Sequence, residues 1–239
     1  LVWQVLQPLD LEAMREGADI ATGRLRIIAT PTLAGSLTTS IDDLIDFPYG
    51  CVEQTMSRFL PTVLVTEAVA KAGLPKPKRA EEMPRMVAEG LVRLRNMQHS
   101  DGGWGWWEYD TTDEFMTGYV LEGLARAKQA GFEPDESMIE RGVKSAQESL
   151  KTTIDALVER DRRENPRRPK AFYEYTRNRL VHARAQLLVG VAAVAPGALT
   201  DANFVGVAPK ADDAASMAAL AMAANLSHRP QLSAQWLGR

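Results

Sequence analysis

From Gly35 onward the chain repeats apolar residues at steps of three and four, and this spacing constrains the fold more than any other feature of the sequence. Val52, Met56, Phe59 and Val63 share one helical face, and so do Met83, Met86, Val87, Leu91 and Leu94. Met116, Tyr119, Val120, Leu124 and Ala127 repeat the pattern, while Ala185–Val194 is apolar nearly all round and is expected inside. Helices are predicted at 40–47, 51–72, 81–98, 113–131, 135–159, 170–194 and 212–226, divided by loops that carry Gly or Pro. Such a succession of helices on short connections implies an α/α bundle, solenoid or closed toroid. Upstream the texture differs: residues 24–31 alternate and are β-branched enough for a strand, with a weaker strand at Val2–Leu6. We therefore divide the chain into a partial β segment, 1–34, and a helical domain, 35–239.

Composition narrows the function classes. With 28 Lys and Arg against 31 Asp and Glu, the net charge of −3 gives no bulk electrostatic case for nucleic acid or an anionic membrane. The longest apolar run, Leu187–Ala195, is about half of the ~20 residues a membrane helix needs. The first residues, Leu1-Val2-Trp3-Gln4, resemble neither a signal peptide nor a natural start, as expected for a piece of something larger. A lone cysteine, Cys51, excludes an internal disulfide, and three scattered histidines (His99, His182, His228) give no metal-ligand spacing; no cofactor is expected. The charged run 158–170, with two prolines, reads as a solvated loop.

The chemistry concentrates in Phe47-Pro48-Tyr49-Gly50-Cys51-Val52-Glu53-Gln54-Thr55-Met56. A thiol and a carboxamide three residues apart at a helix entry lie on one side of the backbone. Attack of the Cys51 thiolate on the Gln54 side-chain carbonyl, with loss of ammonia, would store an electrophile as an internal thioester. Water must be kept from such a bond, and Phe47, Tyr49 and Met56 are candidates for the apolar shield. Gly50 is expected to supply backbone angles closed to other residues, and Pro48 to restrict the approach. The other readings of Cys51 are an inert buried thiol or a nucleophile that would need one of the histidines as its base.

Pro48, Gly50, Cys51, Glu53, Gln54 and Met56 resemble the P-x-G-C-x-E-Q-x-M signature of the alpha-2-macroglobulin and complement thioester proteins, bacterial members included. The resemblance implies Cys51 as sulfur donor and Gln54 as acyl donor, supported by Pro48, Tyr49, Gly50, Glu53 and Met56. It implies an α/α toroid inserted into a CUB-like β-domain, and a single-turnover protease trap in place of an enzyme. Its partners would be target proteases and the CUB-like and macroglobulin domains of the same parent. Asp101-Gly102-Gly103-Trp104-Gly105-Trp106-Trp107 and the Thr117–Leu121 stretch are similar to the family's second helical hairpin. Trp104, Trp106 and Trp107 are expected mainly as packing, with one of them near the thioester pocket. The His or Asn by which family members steer the acyl group does not align with His182, Asn165 or Asn178, so amines such as lysine are the expected nucleophiles. A bacterial periplasmic member, its parent held at the membrane or free, fits the lack of disulfides.

Two motifs point elsewhere. Asp42, Asp43 and Asp46 form a DDxxD arrangement of the kind that holds Mg²⁺ in prenyl-transfer enzymes, although Ser40 and Asp43 equally suit a capping box. Gln98 to Trp104 resembles the Q-x-x-D-G-x-W repeat of triterpene cyclases, or else staples one helical hairpin to the next. The alternatives to the trap are thus an α/α-barrel prenyl or terpene enzyme using Mg²⁺, or an inert helical interaction module.

Overall fold

The computed structural model describes residues 50–72 and 80–237. Within them the protein is helical and contains no strand. The strands at 2–6 and 24–31, the helix at 40–47 and the Asp42–Asp46 motif lie outside the described residues. The helices are α1 (Val52–Ala72), α2 (Met83–Asn96), α3 (Glu114–Gln129), α4 (Glu136–Leu150), α5 (Ile154–Glu164), α6 (Lys170–Val194), α7 (Asp201–Val205), α8 (Ala214–Leu226) and α9 (Pro230–Leu237), with short 3₁₀ turns at Pro196–Ala198 and Ala208–Lys210.

Four helices, α1, α3, α6 and α8, pack in a row. α1 packs on α3, α3 on α6 and α6 on α8, while α2, α4, α5 and α9 each lie against a neighbour in that row. The α3/α6 crossing is the tightest because two glycines meet there. A Cβ on Gly118 would sit 2.4 Å from the Gln186 carbonyl oxygen, and one on Gly190 would sit 2.2 Å from that of Gly118. Around this crossing Val120, Leu121, Leu124, Leu187, Leu188, Val189 and Val191 are fully buried, as the all-round apolar pattern of α6 requires.

The long helix expected over 135–159 is two helices. A buried arginine holds the break. Arg184, on α6, is 3% exposed; its guanidinium donates to the Thr152 carbonyl at 2.7 Å and pairs with Glu114 of α3. With residues 151–153 fixed this way, the Thr153 hydroxyl caps a new helix by accepting from Ala156 N–H. The charged run is therefore helical up to Glu164 and not a loop from 158. Buried Ile154 and Val158 seat it, and Arg162 and Arg163 fall in its last turn, where the macrodipole favours them.

Candidate functional site

α1 begins one residue after Cys51, and its first turn leaves backbone N–H groups that the helix cannot satisfy. The structure answers with a reciprocal pair. Gln54 N–H points at Cys51 Sγ at 3.5 Å, and Cys51 N–H donates to Gln54 Oε1 at 3.1 Å. This is the geometry of a capping box, with a thiol where serine or threonine ordinarily stands. The thiol and the carboxamide are thereby gathered on one turn. The Val52 N–H is taken by the carbonyl of Trp106 at 2.9 Å, so the loop after α2 seats the helix start. Cys51 is 7% exposed.

A Cβ at Gly50 would stand 1.9 Å from Gln54 Oε1 and 3.1 Å from Cδ. Only a residue without a side chain leaves the carboxamide where it lies.

Glu53 is held within α1. Its carboxylate accepts from the Ser57 hydroxyl at 2.6 Å. Burial and the negative charge of Glu53 push the Tyr119 phenol above its ordinary value, against a smaller lowering by its hydrogen bond with Ser57. Met56 is fully buried beneath α1, with its methyl group in the space a Cβ on Gly123 would fill. Phe47, Pro48 and Tyr49 lie outside the described residues.

The three tryptophans divide. Trp104 is wholly buried, its indole N–H donating to the Leu94 carbonyl at 2.8 Å, and is packing. Trp106 reaches the site through its carbonyl, and the residue is 48% exposed. Trp107 lines an open cleft of about 1050 Å³ that runs from Gly50 between α2 and the Trp107–Tyr109 segment. Gln98 does staple neighbouring helical elements, donating to Gly102 at 2.7 Å and to Met138 of α4 at 2.9 Å.

Two residues escaped the sequence reading. Arg93 of α2 donates to the Gly50 carbonyl at 2.7 Å and to the Thr55 hydroxyl at 3.2 Å; Thr55 in turn donates to the Cys51 carbonyl at 2.9 Å. Thr55 sits inside the motif but at a position left variable. Arg93 is one of three arginines on α2, and no local pattern marks it. Of the residues weighed for steering, His182 stacks on Phe115 beside Ser216, Asn165 holds Asp161, and Asn178 is exposed on α6; His99, for its part, lies between Thr112 and the Trp107 carbonyl. Among the described residues no group of three or more His, Cys, Asp or Glu is placed to hold a metal, and no helix is long and apolar enough to cross a membrane.

The family model described as the A-macroglobulin TED domain matches residues 27–155. The chain belongs to this family. Thermotoga maritima alpha-2-macroglobulin is 47% identical over 104 residues, covering 44% of this chain and 6% of that protein. Escherichia coli alpha-2-macroglobulin is 32% identical over 121 residues, 50% of this chain and 7% of that protein. The chain thus spans under a tenth of either relative. Among solved structures, native E. coli alpha-2-macroglobulin from domain MG7 to the C-terminus aligns with TM-score 0.62 at 20% identity, covering 84% of this chain and 30% of that one. Salmonella alpha-2-macroglobulin reacted with methylamine aligns with TM-score 0.63 at 20% identity, covering 87% and 13%. These names do not favour the prenyl-transfer alternative.

Proposed function

We propose that the chain is the covalent arm of a protease trap, with a thioester between Cys51 and Gln54 as its warhead. The observation that carries this is that each of the two side chains accepts from the other residue's backbone N–H across the first turn of α1, in a chain that belongs to the A-macroglobulin TED family. To form the bond, the Cys51 thiolate adds to Gln54 Cδ, the C–N bond breaks, and ammonia leaves with the thiol's proton. To use it, an amine adds to Cδ, the C–S bond breaks, and the amine's proton passes to the sulfur. The attacker ends amide-linked to residue 54 and Cys51 is a free thiol. Each chain acts once, so the protein is an inhibitor and not an enzyme.

In the parent, cleavage of a bait segment elsewhere would expose the bond, and a lysine of the trapped protease would attack. A solved E. coli relative is described as trypsin-activated and the Salmonella one as reacted with methylamine, which supports this order of events. The helices would continue into an α/α toroid, with residues 1–34 belonging to a CUB-like β-domain, in a bacterial periplasmic parent. The test is the intact mass of the full-length parent before and after methylamine. A mass one ammonia below the sequence value, rising by one methylamine as a thiol appears, supports the reading. A mass equal to the sequence value, with the thiol free from the start, sinks it.

A further inference from the structure

The Gly50–Cys51 peptide is held at both ends. Its N–H donates to Gln54 Oε1 at 3.1 Å and its carbonyl accepts from the Arg93 guanidinium at 2.7 Å. Oε1 is the atom on which negative charge gathers in both steps of the thioester chemistry, because each nucleophile adds to Cδ and drives the C=O electron pair onto that oxygen. Donors within about 2.7–3.1 Å of such an oxygen lower the barrier.

We propose that this peptide is an oxyanion-stabilising relay: the Cys51 N–H carries the developing charge on Gln54 Oε1, and Arg93 is the positioning residue that polarises the peptide from its carbonyl end. The inference rests on the thioester reading above. A cation drawn onto a carbonyl shifts electron density along the amide and makes the opposite N–H a stronger donor, and hydrogen bonds in series strengthen one another by about 10–30%. Arg93 suits the task because its planar fork reaches two acceptors at once. Nη2 holds Gly50, while Nε holds Thr55, whose hydroxyl bonds the Cys51 carbonyl. Both peptide groups flanking Cys51 are thus fixed from α2. The helix start does not need this contact, since its unmet groups are N–H donors and the Gly50 carbonyl is not one of them.

Losing an oxyanion donor outright costs about 10²–10³ in rate, so removing a 10–30% strengthening predicts a fall of roughly two- to eightfold. The experiment uses the full-length parent, wild type against R93M, R93K and T55V. Three quantities are read: the fraction bearing the thioester by mass, the second-order rate constant for methylamine from thiol release, and the infrared band of the thioester carbonyl with ¹³C-labelled glutamine. In R93M we expect slower aminolysis per intact thioester and a carbonyl band at higher frequency, with helix content and melting unchanged. R93K restores part of both, because an ammonium donates to one carbonyl but cannot fork. R93M reacting at the wild-type rate with an unmoved band overturns the relay and leaves the thioester intact as a reading. A wild type without mass deficit or methylamine reaction overturns both. Should R93M fail to fold, R93K and T55V carry the test through the band, and wild-type positions in both overturn the relay.

Discussion

Replacing Gly50 by Ala separates the fold from the chemistry. The new Cβ would lie 1.9 Å from Gln54 Oε1 and 3.1 Å from Cδ, against a floor of 3.0 Å for real Cβ contacts. The obstructing atoms are the far end of a flexible side chain, so the carboxamide swings aside by more than 1 Å and the backbone stays. The thermodynamic cost is one half of a capping interaction, about 0.5–2 kcal/mol, or roughly 1–8 °C in melting for a domain of this size. The chemical cost is larger. Oε1 leaves the Cys51 N–H and carries Cδ with it, and displacements of about 1 Å at a reacting pair cost on the order of 10²-fold in rate. In the full-length parent, G50A should fold, show its full sequence mass with no ammonia deficit, and titrate a thiol without methylamine. A G50A protein that carries the thioester at wild-type yield would refute the spatial account of this glycine.

Two further predictions concern the scaffold. Glu114→Gln removes the anion that neutralises Arg184, whose side chain is 4% exposed, and stranding a buried charge costs about 3–5 kcal/mol; a melting shift below ~2 °C in the domain's transition would contradict this. Asp213 caps α8, and its carboxyl is held below the ordinary 3.8 by the hydroxyl and then the backbone N–H of Ser216. Because the folded value is the lower one, this stabilisation is complete above pH 3.8 and is lost as pH falls through the folded value. D213N should therefore differ from wild type by a constant amount at higher pH and converge on it in the acid limb, as followed by acid-titrated unfolding; a gap that persists to the lowest pH would count against it.

The turn that gathers Cys51 and Gln54 was legible in the sequence because the pair is local: Cys51, Gln54 and Gly50 sit within five residues, and an i,i+3 relation at a helix start brings the two side chains to one turn. The longer helices were legible from apolar spacing to within a few residues at most ends, whereas the short α7 and α9 were not anticipated, having too few turns to show a repeat. What sequence could not reveal was contact at a distance. Arg93 lies 43 residues from Gly50 and looks like any solvated arginine of α2. The break between α4 and α5 is made by Arg184 from 32 residues downstream, so a continuous periodic pattern came apart where a tertiary bond held it. Met56, at the motif's end, follows α1's buried face into the core.

That the site is a capping box with sulfur in it has a consequence for stability. Serine and threonine are favoured at a helix N-cap because their oxygen is a strong acceptor, whereas sulfur is a weak one and stands 3.5 Å from the Gln54 nitrogen. Cysteine at this position is thus a poorer cap than serine. Cys51→Ser in the full-length parent should strengthen the first turn of α1 by a few tenths to about 1 kcal/mol relative to the methylamine-opened wild type, while abolishing the ammonia deficit and the methylamine reaction. Hydrogen exchange of the Val52–Met56 amides reads the local effect directly, with slower exchange in the serine variant. Faster exchange there would mean that buried Cys51 packs more than it caps, and that the thiol is held for its fit as well as its chemistry.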